Sequence, residues 1–107
     1  MTAEELIRVF ENVICAVQRH GHKQSMDDAQ CIRVLRVLIE TAEESLTEAG
    51  QSEEEVERAA WKLMEFAKDL YVGSCLDQNP QFANREDFAE ESAELFDYVF
   101  FHGSYPD

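Results

Sequence analysis

The stretch Leu46-Thr47-Glu48-Ala49-Gly50-Gln51-Ser52-Glu53-Glu54-Glu55-Val56 closes one helix and opens another within a few residues. Glycine ends a helix in left-handed backbone without steric cost, so Gly50 marks a stop. Ser52 followed three positions later by Glu55 forms a capping box. In such a box the hydroxyl and the carboxylate each take up a backbone N–H that the first helical turn leaves unpaired. A connection this short sets the two helices antiparallel and side by side.

Working outward, the upstream helix is expected over residues 27–49, starting near Ser25 or Asp27. Ile32, Leu35, Leu38 or Ile39, Ala42 and Leu46 form its main apolar stripe, with Val34 and Val37 on roughly the opposite side. A helix half that is apolar nearly all round is either the centre of a bundle or a contact between molecules. The downstream helix is expected over 53–74, with Val56, Ala59, Ala60, Leu63, Ala67, Leu70 and Tyr71 facing inward and Gly73 near its end. Before this pair, Thr2-Ala3-Glu4-Glu5 is a second capping box, opening a helix over 3–20. Leu6, Phe10, Val13 and Val17 recur at three- and four-residue steps there, widened by Ile7 and Ile14. Arg19-His20-Gly21 gives that helix a cationic last turn and a glycine stop. After the pair, a loop from Leu76 to Asn84 contains Pro80, and Asn84 caps a helix over 85–102. Phe88, Leu95, Phe96 and Val99 face inward on this last helix, Gly103 ends it, and Ser104 to Asp107 reads as a frayed tail. The prediction is an all-α, four-helix up-down bundle forming one small domain.

Composition agrees. Gly (4) and Pro (2) are too scarce in this chain for a sandwich or barrel rich in turns. Apolar residues at 45% support a core and argue against a disordered acidic chain. The longest apolar runs, such as Val37-Leu38-Ile39, fall far short of the ~20 residues of a membrane span. Met1-Thr2-Ala3-Glu4-Glu5 has neither the basic nor the apolar region of a secretory signal. Cys15, Cys31 and Cys75 are odd in number and widely spaced, as reduced thiols are. A cytoplasmic protein is expected.

The net charge of −14 is unevenly spread. Residues 1–38 hold as many bases as acids, so the whole imbalance lies in residues 39–107. Glu40 to Glu57 and Glu86 to Asp97 are two acidic runs with no base. A chain that held nucleic acid directly would carry the opposite sign.

Motifs for chemistry are missing or incomplete. His20-Gly21-His22 with Cys15 upstream lacks the ligand spacing of zinc or di-iron sites, and reads as a helix end with polar loop histidines. Asp77-x-Asn79-x-Gln81 begins like a calcium loop but places Phe82 where glycine is needed and Phe88 where the bidentate glutamate belongs. The cysteines sit in or beside apolar stripes, in an acidic neighbourhood that disfavours thiolate. His102 could serve as the cation at the last helix end. No enzyme, cofactor or metal site is expected, and an enzyme would need a pocket that the sequence does not reveal.

The acidic surface carries more. At 100° per residue, Glu86, Asp87, Glu90, Glu91, Glu94 and Asp97 span a sector of roughly 140° opposite the apolar face. Like charges one turn apart, about 6 Å along the axis, repel by a few tenths of a kcal/mol per pair. Interleaved lysines would keep solubility and remove that cost, and none is present. The bland alternative is a solvated face that prevents aggregation. Trp61 lies well off the apolar stripe of its helix, with Val72 nearby and Arg58, Glu65 and Lys68 around it. It is either covered by a neighbouring helix or an exposed interface anchor. Phe82 and Phe101 pose the same choice. The candidate partner-binding residues are Glu40, Glu43, Glu44, Glu48, Glu53, Glu54, Glu57, Trp61, Glu86, Asp87, Glu90, Glu91, Glu94, Asp97 and Phe101.

In composition and architecture the chain resembles two groups. One is the immunity proteins that neutralise basic nuclease toxins. The other is the phage anti-defence proteins, including anti-CRISPR and anti-restriction inhibitors that occupy nucleic-acid channels. The resemblance implies a non-enzymatic inhibitor or sequestering protein whose carboxylates stand where a basic protein, such as a nuclease, expects phosphates. For simple mimicry both acidic runs must share one side of the molecule. The alternative is a homodimeric scaffold or adapter joined through the charge-neutral N-terminal half, with Ile32, Val34, Leu35, Val37 and Leu38 as the seam.

Overall fold

A computed structural model describes residues 2–23, 27–78 and 85–103, and all four expected helices are present: α1 Ala3–Lys23, α2 Asp28–Glu48, α3 Glu53–Gln78 and α4 Arg85–His102. The hydroxyl half of each capping box forms, Thr2 Oγ1 accepting from Glu5 N and Ser52 Oγ from Glu55 N, both at 3.2 Å. The α2–α3 turn is closed as expected. Gly50 takes φ 88°, Gly50 N donates to Thr47 O at 3.0 Å, and Gln51 N donates to Leu46 O at 3.1 Å. That bond pair is a Schellman stop, which satisfies carbonyls at the end of α2.

Two expected stops are overridden. α1 continues through Gly21 to Lys23, and α3 continues through Gly73 to Gln78 rather than ending near residue 74. A glycine inside a helix costs only about 0.5–1 kcal/mol, which packing of the flanking turns can outweigh. Around Gly73 the packing comes from Leu70, Tyr71, Val72 and Cys75, all in or against the core. The expected loop therefore starts later than Leu76. The positions of Ser25, Pro80, Phe82, Asn84 and Ser104 to Asp107 lie outside the described residues, as does the side chain of His22.

α2 and α3 form the central antiparallel pair. Each packs against both α1 and α4, whereas α1 and α4 make no contact with each other among the described residues. The main core joins Ile14 of α1 to Ile32, Leu35, Ile39 and Ala42 of α2, Leu63, Met64, Ala67 and Tyr71 of α3, and Phe96, Val99 and Phe100 of α4. A second cluster under the α2–α3 turn gathers Leu46, Val56 and Ala59 against Ala3, Leu6 and Ile7.

α2 is thus the central helix, and this corrects the proposed dimer seam. Ile32 and Leu35 are fully enclosed by the chain's own core, Leu38 packs against it, and Val34 is half-buried. Only Val37 of the five stands exposed, at 60%. Val13, expected on the inner stripe of α1, is also exposed, because α1 turns Ile7, Phe10 and Ile14 inward. Periodicity did not single out Met64 and Phe100 as core, yet both are buried.

α3 has 26 residues and α4 has 18, or about 39 and 27 Å at 1.5 Å per residue. α4 runs back along α3, and Lys68 Nζ meets Asp97 Oδ1 at 3.3 Å on the way. Its end is held at mid-α2: Arg36 Nη1 donates to Phe100 O at 2.7 Å, and Arg33 Nη1 donates to Gly103 O at 2.8 Å. Gly103, at φ 84°, makes the left-handed stop, its N–H donating to Val99 O at 2.7 Å. The two arginines supply the cation expected at this helix end. His102 instead stacks on Tyr98, with ring centroids 4.2 Å apart. Beyond that end, α2 and α3 continue uncovered by α4 to their common turn.

Candidate docking groove

The early end of α4 leaves a groove of about 240 Å³ between α2, α3 and the last turn of α4. Ile39, Ala60, Met64 and Phe100 supply its apolar surface, Trp61 and Phe101 its exposed aromatic walls, and Glu40, Glu43 and Glu57 its acidic rim, beside Arg36. A shallower depression continues toward the turn along Glu40, Glu43, Glu44, Glu48 and Val56. The volume is below the ~300–1,000 Å³ of pockets that enclose drug-sized molecules. It suits a side chain rather than a whole metabolite.

Helical spacing explains the grouping. Glu40, Glu43 and Glu44 lie one turn apart on the side of α2 that Arg36 turns toward α4. Glu57 and Trp61 lie one turn apart on α3, on the flank that carries Lys68 toward Asp97. Trp61 is 56% exposed, which decides against its being covered by a neighbouring helix. Phe101 is 54% exposed and belongs to the acidic sector of α4. Of the two acidic runs only Glu40–Glu57 supplies carboxylates to the groove, and α4 contributes Phe100 and Phe101 to it.

Most of the sequence-predicted carboxylates are exposed, and few are neutralised. Glu40 pairs with Arg36 at 3.1 Å, Asp97 with Lys68, and Glu54 with Arg58 at 3.7 Å across a well-exposed pair that is worth little. Glu43, Glu44, Glu48, Glu53, Glu57, Glu86, Glu90, Glu91 and Glu94 make no ion pair among the described residues. Glu53 and Glu54 sit on the first turn of α3, and neither lines the groove. Glu86, Asp87, Glu90, Glu91 and Glu94 are exposed along α4, leading away from it. Burial raises the Glu43 carboxyl above its ordinary value, and the negative charges of Glu40 and Glu57 push it the same way. The rim is held at an electrostatic cost that a cation would relieve.

Sequence reasoning missed Arg36, Ile39, Ala60, Met64 and Phe100 as members of this site. The Phe100-Phe101 pair beside a glycine stop was the available signal, since one ring must turn inward and the other outward. The rings of Phe100 and Phe101 meet edge-on at 5.2 Å, and Phe100 stacks on Phe96 at 5.6 Å. The guanidinium carbon of Arg36 lies 6.0 Å from the Phe100 ring centroid. Arg36 thereby spans an aromatic face, a carboxylate and a helix-end carbonyl.

Burial and the nearby Asp28 raise the thiol of Cys31, whose Sγ lies 3.6 Å from Gln18 Oε1. Burial also raises Cys75, opposed by hydrogen bonds from Tyr71 and Ser92. Neither thiol is poised as a nucleophile. A wider opening between α1 and α3, lined by Cys15, Arg19, Asp69 and Asp77 among others, contains none of the predicted site residues. Among the described residues no group of three or more His, Cys, Asp or Glu is placed to hold a metal ion, and no helix is long and apolar enough to cross a membrane.

No protein-family model matches the chain, and neither a curated protein nor a solved structure is significantly similar to it.

Proposed function

We propose that this protein is a non-enzymatic inhibitor or sequestering protein, of the immunity-protein or anti-CRISPR type, that occupies the basic surface of a nucleic-acid-acting protein. One observation carries the reading. The acidic end of the α2–α3 hairpin borders, through Glu40, Glu43 and Glu57, a groove walled by exposed Trp61 and Phe101, and a second row of exposed carboxylates runs along α4 outside it. From Glu86 to Glu94 five exposed carboxylates extend over ~12 Å of helix, about one per 3 Å. A nucleic-acid strand offers one charge per ~3.4 Å, so this face matches one strand rather than a duplex at ~1.7 Å. Such a field speeds encounter with a basic surface and penalises acidic competitors. Exposed aromatic side chains then slow dissociation by burying apolar area.

The test is capture by the immobilised chain at low and then raised salt, followed by assay of the captured protein with and without the chain. The expected outcome is a basic nucleic-acid enzyme that the chain inhibits, with capture weakening as screening rises. Recovery of only acidic or neutral partners, or of a basic enzyme whose activity the chain leaves untouched, overturns the reading.

A further inference from the structure

We infer that the groove at the end of α4 is the anchor pocket for one arginine side chain of the basic partner, a refinement that rests on the sequestering function proposed above. The occupant follows from what surrounds the space. Its inner surface of Ile39, Ala60 and Met64 accepts an alkyl stem, and Trp61 and Phe101 stand exposed on its walls. Glu43 and Glu57 stand on the rim with no basic partner among the described residues. Arginine combines these requirements. Its flat, weakly hydrated guanidinium stacks on aromatic rings and forks onto carboxylates, whereas lysine brings a compact, strongly hydrated point charge.

The chain already contains the arrangement once. Arg36 lies over the Phe100 ring and bonds Glu40 at the inner edge of the same groove. That residue is committed to the end of α4 through Phe100 O, so it satisfies only one side of the rim. The remaining side repeats the same elements, with Trp61 and Phe101 in place of Phe100 and Glu43 and Glu57 in place of Glu40. The raised proton affinity of Glu43 agrees with a rim that lacks a cation.

Trp61 is the single tryptophan of the chain, so its fluorescence reports directly on the groove. The probes are deca-arginine amide and deca-lysine amide, titrated at low salt into the full chain and two variants, Glu43→Gln/Glu57→Gln and Glu90→Gln/Glu91→Gln/Glu94→Gln. The expected result is a saturable shift of Trp61 emission with deca-arginine and a weaker one with deca-lysine. Loss of the two rim carboxylates should cost deca-arginine roughly tenfold in affinity or more, the scale of about one charge-assisted hydrogen bond. Loss of the three α4 carboxylates, which lie outside the groove, should cost less. Glu57, Glu90, Glu91 and Glu94 are exposed and half-buried Glu43 makes no ion pair, so both variants should keep the fold, which circular dichroism verifies. Deca-arginine that binds without moving Trp61 emission, or that loses equally in both variants, overturns the pocket while leaving the sequestering function standing. Equal behaviour of the two peptides overturns the arginine assignment. A dimer in light scattering that Phe101→Ala dissolves would make a second copy the occupant. If neither peptide binds at low salt, the proposed function itself fails.

Discussion

Arg36 of α2 donates from Nη1 to the carbonyl oxygen of Phe100 in the last turn of α4, at 2.7 Å, while its Nε holds Glu40 at 3.1 Å. One side chain therefore ends α4, fixes that end against mid-α2, and sets the inner edge of the groove. Helix-end carbonyls have no intrahelical partner, so a neighbouring helix that supplies donors decides where the last turn sits.

Arg36→Ala should destabilise the fold by about 1–2 kcal/mol, the range for a partly exposed hydrogen bond from a charged donor. In a domain of this size that is a fall in melting temperature of roughly 4–16 °C. Arg36→Lys should recover less than half, since an ammonium cannot address carbonyl and carboxylate through two separate nitrogens. Urea denaturation of the three proteins is the measurement, and an unchanged midpoint for Arg36→Ala would refute the role of this bond.

The two phenylalanines on either side of the groove boundary should behave oppositely. Phe96 is completely enclosed, meets Tyr71 at a tilt at 5.7 Å and stacks on Phe100 at 5.6 Å, so Phe96→Ala should cost about 3–5 kcal/mol. Phe101, more than half exposed, should cost under about 1 kcal/mol when replaced by Ala. Partner or peptide binding should show the reverse order, with Phe101→Ala the damaging change. Equal destabilisation by both would place Phe101 in the core instead.

Glu43 should give stability a pH dependence of defined sign. Its carboxyl is raised in the folded chain by burial and by the charges of Glu40 and Glu57. Between the unfolded and the raised folded value, the folded state binds more protons than the unfolded state. Its contribution to stability therefore falls as pH rises through that window and is most unfavourable above it. Glu43→Gln should raise stability near neutral pH and flatten the slope in the weakly acidic range. Parallel pH profiles for the two proteins would contradict this.

Glycines that look alike in the sequence should respond differently to alanine. An added Cβ at Gly73 meets no atom within 4 Å, and its backbone is helical, so Gly73→Ala should stabilise by about 0.5–1 kcal/mol. Gly103, at φ 84°, should lose roughly 1–2 kcal/mol on the same change. Thermal melts of both variants decide it; a loss at Gly73 would mean that its flanking helix is strained.

Cys31 and Cys75 should react slowly with a thiol reagent near neutral pH and rapidly in denaturant, since burial disfavours their thiolates. Immediate reaction of both in the native protein would show that the α1–α2 and α3–α4 contacts open freely.

How far the sequence reached follows from the range of each interaction. Thr2 and Ser52 cap their helices, and Gly50 and Gly103 stop theirs, because those effects act within one turn of chain. The 3.6-residue period exposed the apolar stripes, and the acidic runs were legible as runs. Local signals failed where packing competes with them: Gly21 and Gly73 read as stops, but each lies inside a helix that continues past it. Of the candidate site, Glu40, Glu43, Glu57, Trp61 and Phe101 were visible as residue types, and their convergence on one groove was not. That convergence depends on α4 ending against mid-α2, where Arg33 and Arg36 donate to its carbonyls across 70 and 64 residues of sequence. Periodicity specifies which face of a helix turns inward. Which helix meets that face, and where it stops, is settled by contacts between distant parts of the chain, and these leave Trp61 in solvent beside Glu40, Glu43 and Glu57.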